Sequence, residues 1–372
     1  MLLIPTFLSK RLEDAEPLLR PGMLGPFSVP HRVVMAPMTR SRALPGGVPS
    51  ELAREYYRQR ASAALIITEG AQVSPEGVGY LGTPGIHSEA QVNGWRRITD
   101  AVHAEGGRIF IQLWHVGRIS HPSFHGGKLP VAPSPIRPEG STLTSKGPRR
   151  FVRPRALKTD EVLRVVKDFR RAAGLAVDAG FDGVEVHGAN GYLLDQFLRD
   201  GTNQRADQYG GSVENRIRFP LMVVDAVADV WGAERVGVRI SPLSRFNDMR
   251  DSDPEAVFSA FAGALGERTL AYLHIIREDG FTGEPVSFDP LVLSEMFRGP
   301  IIAAAGYDAE SGAREIETSR TDFVAYARAF LANPDLPRRF AKGAALNQPD
   351  PDTFYGGGAR GYIDYPFLEA ER

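Results

Sequence analysis

The stretch TDEVLRVVKDFRRAAGLAVDAGFDGVEVHGANGY, residues 159–192, decides the fold. Its first part has the apolar spacing of an amphipathic helix from Thr159 to Ala179, and Gly180 predicts the end of that helix. The run Gly183–His187 that follows is short and mostly apolar, which is typical of a buried parallel strand. A helix that leads directly into a buried strand predicts an α/β protein.

The same alternation extends in both directions along the chain. The other predicted strands are Val33–Met38, Leu65–Glu69, Arg108–Trp114, Val236–Ile240, Tyr272–Ile276, Pro300–Ala304 and Phe323–Tyr326. The other predicted helices are Glu51–Ser62, Glu89–Ala104, Asn215–Val230, Pro254–Arg268, Leu291–Phe297, Ala309–Glu317 and Leu336–Lys342. Eight strands alternating with helices over 372 residues favour a single (β/α)₈ TIM barrel. A doubly wound open sheet has the same periodicity and remains an alternative at this point.

The composition excludes several classes of protein. Lys and Arg total 44 against 45 for Asp and Glu, so a net charge of -1 gives no general attraction to nucleic acid or anionic membranes. The chain has no cysteine, which excludes disulfides, iron–sulfur clusters and a Cys nucleophile. No apolar run approaches the ~20 residues of a membrane span. The N-terminal MLLIPTFLSKR lacks the pattern of a signal peptide, so we expect a soluble, cytoplasmic protein.

One connection is too long for a simple loop. Residues 115–158 separate the third strand from the next long helix and are rich in Pro, Gly, Ser and Arg. In a barrel this segment leaves the end at which active sites are built, so we expect a lid or hairpin over the site, with a surface decoration as the alternative. No linker or repeat interrupts the rest, which predicts one domain over residues 1–372.

Polar residues at the predicted strand ends indicate a catalytic site. His187, Asn190 and Tyr192 follow a strand directly, and such groups can polarise a carbonyl oxygen and protonate the neighbouring carbon. A histidine at a strand end is equally often a simple hydrogen bonder. Gln112 and Arg239 lie inside apolar strands, which is costly unless each has a partner. A salt bridge would satisfy Arg239, whereas the edge of a heteroaromatic cofactor would satisfy both residues.

Two other sequence patterns give little evidence of a binding site. His115, His121 and His125 lie close together in sequence without a carboxylate at ligand spacing, so we expect no metal site. The Arg149–Arg155 segment is basic and fits a solvated surface better than a contact to a phosphorylated ligand.

Long stretches of the chain resemble the old yellow enzyme family of FMN-dependent ene-reductases, in the branch of N-ethylmaleimide reductase and 12-oxophytodienoate reductase. The matching stretches are RVVMAPMTRSRA at 32–43, LIITEGAQVSPEGVGY at 65–80, RIFIQLWHVGRISHP at 108–122, GFDGVEVHGANGYLLDQFLRDGTNQRADQYGGSVENR at 180–216, FNDMRDSD at 246–253, LANPDLP at 331–337 and DTFYGGGARGYIDYP at 352–366. The resemblance implies a (β/α)₈ barrel with FMN at its C-terminal mouth. The missing cysteine excludes the iron–sulfur and Cys-containing branches of that family.

The resemblance also implies residues that hold FMN. Thr39 would tune the flavin beside its C4 carbonyl, and Arg239 would face N1 and O2 and stabilise the negative charge of the reduced ring. The remaining implied FMN contacts are Pro37 and Met38 along the ring, Ala71 and Gln112 at the pyrimidine edge, and Ala305, Gly306, Ala327 and Arg328 at the phosphate. Many relatives have glycine at the positions of Ala305 and Ala327, so we expect FMN to bind less tightly here.

The implied reaction is the reduction of an activated alkene: an enal, enone, maleimide or nitroalkene. His187 and Asn190 would bind the activating oxygen, and Tyr192 would protonate Cα. The pocket would be lined by Trp114, Tyr80 and Tyr355. NADPH or NADH would reduce FMN first in the same pocket, and the protein would be a monomer or homodimer. The rival hypotheses are a cofactor-free barrel lyase or isomerase, and a non-catalytic ligand-binding barrel.

Overall fold

Eight parallel strands close into a barrel in the computed structural model, which describes residues 15–277 and 288–369. The barrel strands are β1 Val33–Met35, β2 Ile66–Gln72, β3 Ile109–Trp114, β4 Gly183–Gly188, β5 Val236–Ile240, β6 Tyr272–Ile276, β7 Ile301–Ala304 and β8 Phe323–Tyr326. Each strand pairs with its neighbour in the chain, and β8 pairs with β1. The predicted TIM barrel is confirmed, and the open sheet is excluded.

Within the described ranges, eight helices surround the barrel. They are α1 Glu51–Arg58, α2 Glu89–Ala104, α3 Thr159–Asp178, α4 Val213–Trp231, α5 Pro254–Gly266, α6 Leu293–Phe297, α7 Ala309–Glu317 and α8 Leu336–Lys342. Side chains that accept from backbone N–H groups start several of them, among them Ser50, Ser88 and Asp308. Two short helices that the sequence did not predict, Leu193–Leu198 and Arg328–Ala332, follow β4 and β8 at the mouth.

The barrel interior has an apolar lower layer and a polar upper layer. Alternation along each strand sends every second residue inward. The lower layer includes Phe110 and Tyr272, whose rings stack with centroids 6.1 Å apart. Gly237 makes room for this packing, since a Cβ there would overlap the Tyr272 ring. Polar side chains occupy the next inward positions toward the mouth, for example Gln112 two residues after Phe110.

The excursion between β3 and α3 is ordered around a small hairpin. Its strands Ser141–Thr144 and Gly147–Arg150 pair antiparallel, and Val131–Ala132 pairs with Arg155–Ala156. The excursion packs on the mouth, because Val116, Ile119 and Phe151 share a buried cluster with Trp114, Tyr192 and Tyr80.

A second hairpin, Gly22–Leu24 with Phe27–Val29, precedes the barrel. None of the helices in the described ranges is long and apolar enough to cross a membrane. The N-terminal stretch at 1–11 lies outside the described residues.

Candidate active site

Tyr192 lies in a buried aromatic cluster at the C-terminal mouth of the barrel. Its ring meets Trp114 edge-on, with centroids 4.9 Å apart, and meets His187 at 5.2 Å. Its phenol oxygen is 3.2 Å from that of Tyr80, whose ring stacks on Trp114 at 5.7 Å. Burial raises the pKa of Tyr192 to about 12. The phenol therefore stays protonated at ordinary pH and can donate a proton.

His187 is a neutral imidazole beside this phenol. It is 5% exposed, and its Nδ1 has no hydrogen-bond partner among the described residues. Burial holds its pKa well below the usual 6.5, and the positive charge of Arg239 lowers it further. A buried polar atom without a protein partner is a candidate for ligand contact.

Asn190 is held at the mouth by its backbone. It adopts a left-handed conformation, φ 59°, which asparagine tolerates better than most residues. Its N–H donates to Ser241 Oγ at 2.7 Å, and its carbonyl accepts from Asn247 Nδ2 at 2.8 Å. These bonds come from the loop after β5, so two strands together position Asn190.

Asn247 is a residue of the site that the sequence reasoning missed. Its amide hydrogen-bonds to Tyr192 and Tyr80 and lowers the pKa of each, against the larger effect of burial. Buried Arg118 donates to the carbonyl oxygens of Asn247 and Asp248, at 3.0 and 2.8 Å, and so anchors the loop. The stretch FNDMRDSD, which resembles the family sequence, is the signal in the sequence that points to Asn247.

Tyr355 occupies the outer rim. It is 70% exposed, and it raises the pKa of both Tyr192 and Tyr80 through charge repulsion. The structure therefore brings Tyr80, Trp114, His187 and Tyr192 into contact and places Tyr355 near them in solvent.

Gln112 and Arg239 lie one layer deeper, on β3 and β5. Gln112 Nε2 donates to Glu185 Oε1 at 2.7 Å, and Glu185 Oε2 accepts from His274 Nδ1 at 2.8 Å. Arg239 is 9% exposed, and its Nε has no hydrogen-bond partner in the described ranges. Burial lowers the pKa of Arg239, and the charge of Glu185 opposes that effect. The sequence reasoning found Gln112 and Arg239 but missed Glu185 and His274, which are inward-facing polar residues of the same kind.

The segment after β1 forms a fixed wall of the mouth. Pro37 is buried, whereas Met38 and Thr39 are half-buried. The next residue, Arg40, is fully buried, and its N–H donates to Glu69 Oε2 at 3.1 Å. Ala71 on β2 is also fully buried.

At the ends of β7 and β8, exposed backbone accompanies the positively charged side chain of Arg328. Ala305 is half-buried with φ 80°, and Gly306 is exposed with φ 78°. Ala327 and Arg328 are exposed at the start of the short helix after β8. Ala305 thus keeps a left-handed backbone, which glycine adopts without strain.

The residues present fit FMN. A planar ring at the mouth would meet the Gln112 amide and the unpartnered nitrogens of Arg239 and His187. The phosphate would meet the exposed backbone at Gly306 and the charge of Arg328, in the usual position for phosphate in such barrels. In the described part of the chain, no group of three or more His, Asp or Glu side chains is arranged to hold a metal ion.

Comparison with known proteins agrees with this geometry. Residues 17–347 match the NADH:flavin oxidoreductase / NADH oxidase family. The 12-oxophytodienoate reductase 1 of Oryza sativa subsp. japonica is 45% identical over 95% of this chain and 94% of its own. The structure of morphinone reductase in complex with tetrahydroNAD is 50% identical, with a TM-score of 0.90, and covers 95% of this chain and 98% of that one.

A further solved structure has a still higher TM-score. The old yellow enzyme homologue from Zymomonas mobilis is 42% identical, with a TM-score of 0.92, over 94% of this chain and 99% of its own. On this family match, on near-full-length relatives and on a barrel mouth that fits flavin, the chain belongs to the old yellow enzyme family of FMN-dependent NADH:flavin oxidoreductases.

Proposed function

We propose that this protein is an ene-reductase that reduces activated alkenes with electrons from NADH or NADPH. The observation that carries the proposal is the buried, neutral phenol of Tyr192 in contact with the neutral imidazole of His187 at the barrel mouth. One group can donate a proton, and the other can hydrogen-bond a carbonyl or nitro oxygen. An alkene conjugated to such an oxygen needs both functions.

The chain supplies a binding site for each part of FMN. Gln112 and Ala71 would hold the pyrimidine edge, Pro37, Met38 and Thr39 would lie along the ring, and Arg239 would face N1 and O2. Ala305, Gly306, Ala327 and Arg328 would hold the phosphate. Bound FMN supplies hydride transfer, taking two electrons from a nicotinamide and passing them to the alkene.

The chain's own residues would bind the alkene and move the proton. His187 and Asn190 would bind the activating oxygen and orient the double bond. Tyr192 would protonate Cα, and the Tyr80 phenol at 3.2 Å would hold its oxygen in place. Trp114 and Tyr355 would line the pocket, Trp114 from within and Tyr355 from the rim.

The excursion at 115–158 would act as a lid on a single domain spanning residues 1–372. Its packing against Trp114 and Tyr192 supports this role, because it shields the proton donor from water. The reductant would enter the same pocket. A relative binds tetrahydroNAD in a solved structure, which supports a nicotinamide but does not choose between NADH and NADPH.

Anaerobic half-reactions test the proposal. We expect purified protein to be yellow with FMN, to lose its colour with NADH or NADPH, and to regain it on addition of an enone, maleimide or nitroalkene. An unactivated alkene is the control and should leave the reduced protein unchanged. Protein that stays colourless after incubation with FMN would refute the function. Reduced protein that none of these alkenes reoxidises, and that only oxygen reoxidises, would refute the substrate class.

A further inference from the structure

Glu185 is a fully buried carboxylate at the centre of the polar layer, and the proposed reaction gives it no role. It is 0% exposed on β4. The strand register places it beside Gln112 on β3 and places Arg239 on β5 beside His274 on β6. Four neighbouring strands therefore contribute one polar side chain each to the polar layer, in which hydrogen bonds join Gln112, Glu185 and His274, while Arg239 is paired in register with His187 above them.

The two oxygens of Glu185 fix the orientation of two neighbours. An ionised carboxylate only accepts hydrogen bonds. The Gln112 amide must therefore point its NH₂ group at Glu185 Oε1, 2.7 Å away, which leaves its own carbonyl oxygen available to a ligand. In the same way, His274 must carry its proton on Nδ1, 2.8 Å from Oε2.

Glu185 is also the carboxylate whose charge acts on Arg239. The other charged or titratable groups that act on Arg239 are Tyr272 and Tyr192, which are neutral, while the burial of His187 and His274 keeps both imidazoles neutral. The carboxylate stabilises the guanidinium in its buried position. It also offsets part of the positive field that Arg239 directs at the mouth.

We propose that Glu185 is a positioning residue that sets the reduction potential of bound FMN, through the orientation of Gln112 and the net charge around Arg239. The inference rests on the proposed function, since it requires FMN at the mouth. Reduced FMN carries more negative charge than oxidised FMN. A carboxylate in this layer therefore weakens the binding of the reduced form relative to the oxidised form and lowers the potential.

The test is the midpoint potential of FMN in the Glu185→Gln holoenzyme, measured by anaerobic titration against a redox dye. We expect reduced FMN to gain about tenfold or more in affinity over oxidised FMN. For a two-electron couple this equals a rise of about 30 mV or more. Glutamine keeps the size of the side chain, and thermal unfolding with the FMN content reports on folding separately.

His274→Gln is the matched control, because it replaces a donor to Glu185 and leaves the carboxylate charge in place. Its potential should stay within about threefold in relative affinity, or about 15 mV, of wild type. A Glu185→Gln potential equal to that of wild type overturns the inference. So does a His274→Gln shift as large as that of Glu185→Gln, because any disturbance of the layer would then have the same effect.

If Glu185→Gln fails to fold, a double variant tests whether the carboxylate charge sets the FMN potential. Gln112→Glu with Glu185→Gln keeps the charge and the hydrogen bond of the pair, but it moves the carboxylate to β3. We expect its potential to fall below that of wild type, and an unchanged potential overturns the inference. Wild-type protein that takes up no FMN overturns the proposed function together with this inference, whereas an unchanged variant potential leaves the proposed function intact.

Discussion

Replacing Tyr192 by phenylalanine should separate the two halves of the reaction. The proposed function makes this buried phenol the proton donor, and burial raises its pKa to about 12. Hydride transfer from a nicotinamide to FMN needs no proton from this group. We therefore expect Tyr192→Phe to be reduced by NADH or NADPH at the wild-type rate and to be reoxidised slowly by an enone.

The size of the loss follows from what the hydroxyl does. A positioned general acid contributes about 10²–10⁴-fold, and a factor of 10² equals about 2.7 kcal/mol of barrier. The lost hydrogen bond to Tyr80 contributes only about 1 kcal/mol, or roughly fivefold. The phenylalanine ring keeps its packing against Trp114 and His187, so the pocket retains its shape.

Stopped-flow measurement of each half-reaction under anaerobic conditions is the assay, and Tyr80→Phe is the matched control. The control removes the same hydrogen bond but leaves the Tyr192 proton, so its reoxidation rate should fall less than about tenfold. Wild-type reoxidation should not vary between about pH 6 and about pH 10, and it should fall as the phenol ionises near pH 12. A reoxidation rate in Tyr192→Phe within about fivefold of wild type would refute the assignment of the proton donor.

Three further changes test other parts of the molecule. Burial raises the pKa of Glu69 to about 7 from 4.5. The folded protein therefore holds a proton that the unfolded chain has released, and stability falls as pH rises through this window, by at most about 3 kcal/mol. Glu69→Gln should remove that loss, so its free energy of unfolding in urea, relative to wild type, should be more favourable at about pH 8 than at about pH 4. The same difference between variant and wild type at both pH values would argue against a buried neutral carboxyl. Ala305 has φ 80°, which costs an alanine about 1–2 kcal/mol of strain, so Ala305→Gly should stabilise the fold by about 0.5 kcal/mol. Ala327→Gly is the control: Ala327 has φ −93°, so this change should destabilise the fold. Equal losses of stability in the two variants would contradict the strain at Ala305. Gly237→Ala should cost about 1–3 kcal/mol in thermal unfolding by displacing the Tyr272 ring, and wild-type stability would show that the ring has room to move.

The sequence predicted all eight strands and the order of the helices, because buried parallel strands are short apolar runs that side-chain pattern reveals. The ends were less certain, for local reasons. Strand β1 stops at Met35 and not at Met38, because Pro37 has no N–H to donate to the sheet. Strand β2 continues past its predicted end at Glu69 to Gln72, because its pairing with β3 resumes at Gly70 after a register shift.

The short helices at the mouth could not be predicted from periodicity. Leu193–Leu198 and Arg328–Ala332 are one to two turns long, which is too short for a 3.6-residue pattern to stand out. Asn247 was missed for a related reason: its contacts with Tyr192 and Tyr80 depend on a loop conformation held by Arg118, and no spacing in the sequence encodes that conformation.

Whether a buried polar residue serves the fold or a ligand depends on its partners, and partners across a barrel are not visible in a sequence. Gln112 and Arg239 gave the same signal, a polar side chain in an apolar strand. The structure shows how they differ: Gln112 Nε2 is held by Glu185, which leaves its carbonyl oxygen for a ligand, while Arg239 Nε is buried without a partner in the described residues. One layer nearer the mouth, His187 Nδ1 is likewise buried without a hydrogen-bond partner among the described residues. A buried polar atom left unpaired costs about 1–3 kcal/mol, and a planar heteroaromatic ring bound at the mouth, with polar atoms along its edge, would satisfy both Arg239 Nε and His187 Nδ1.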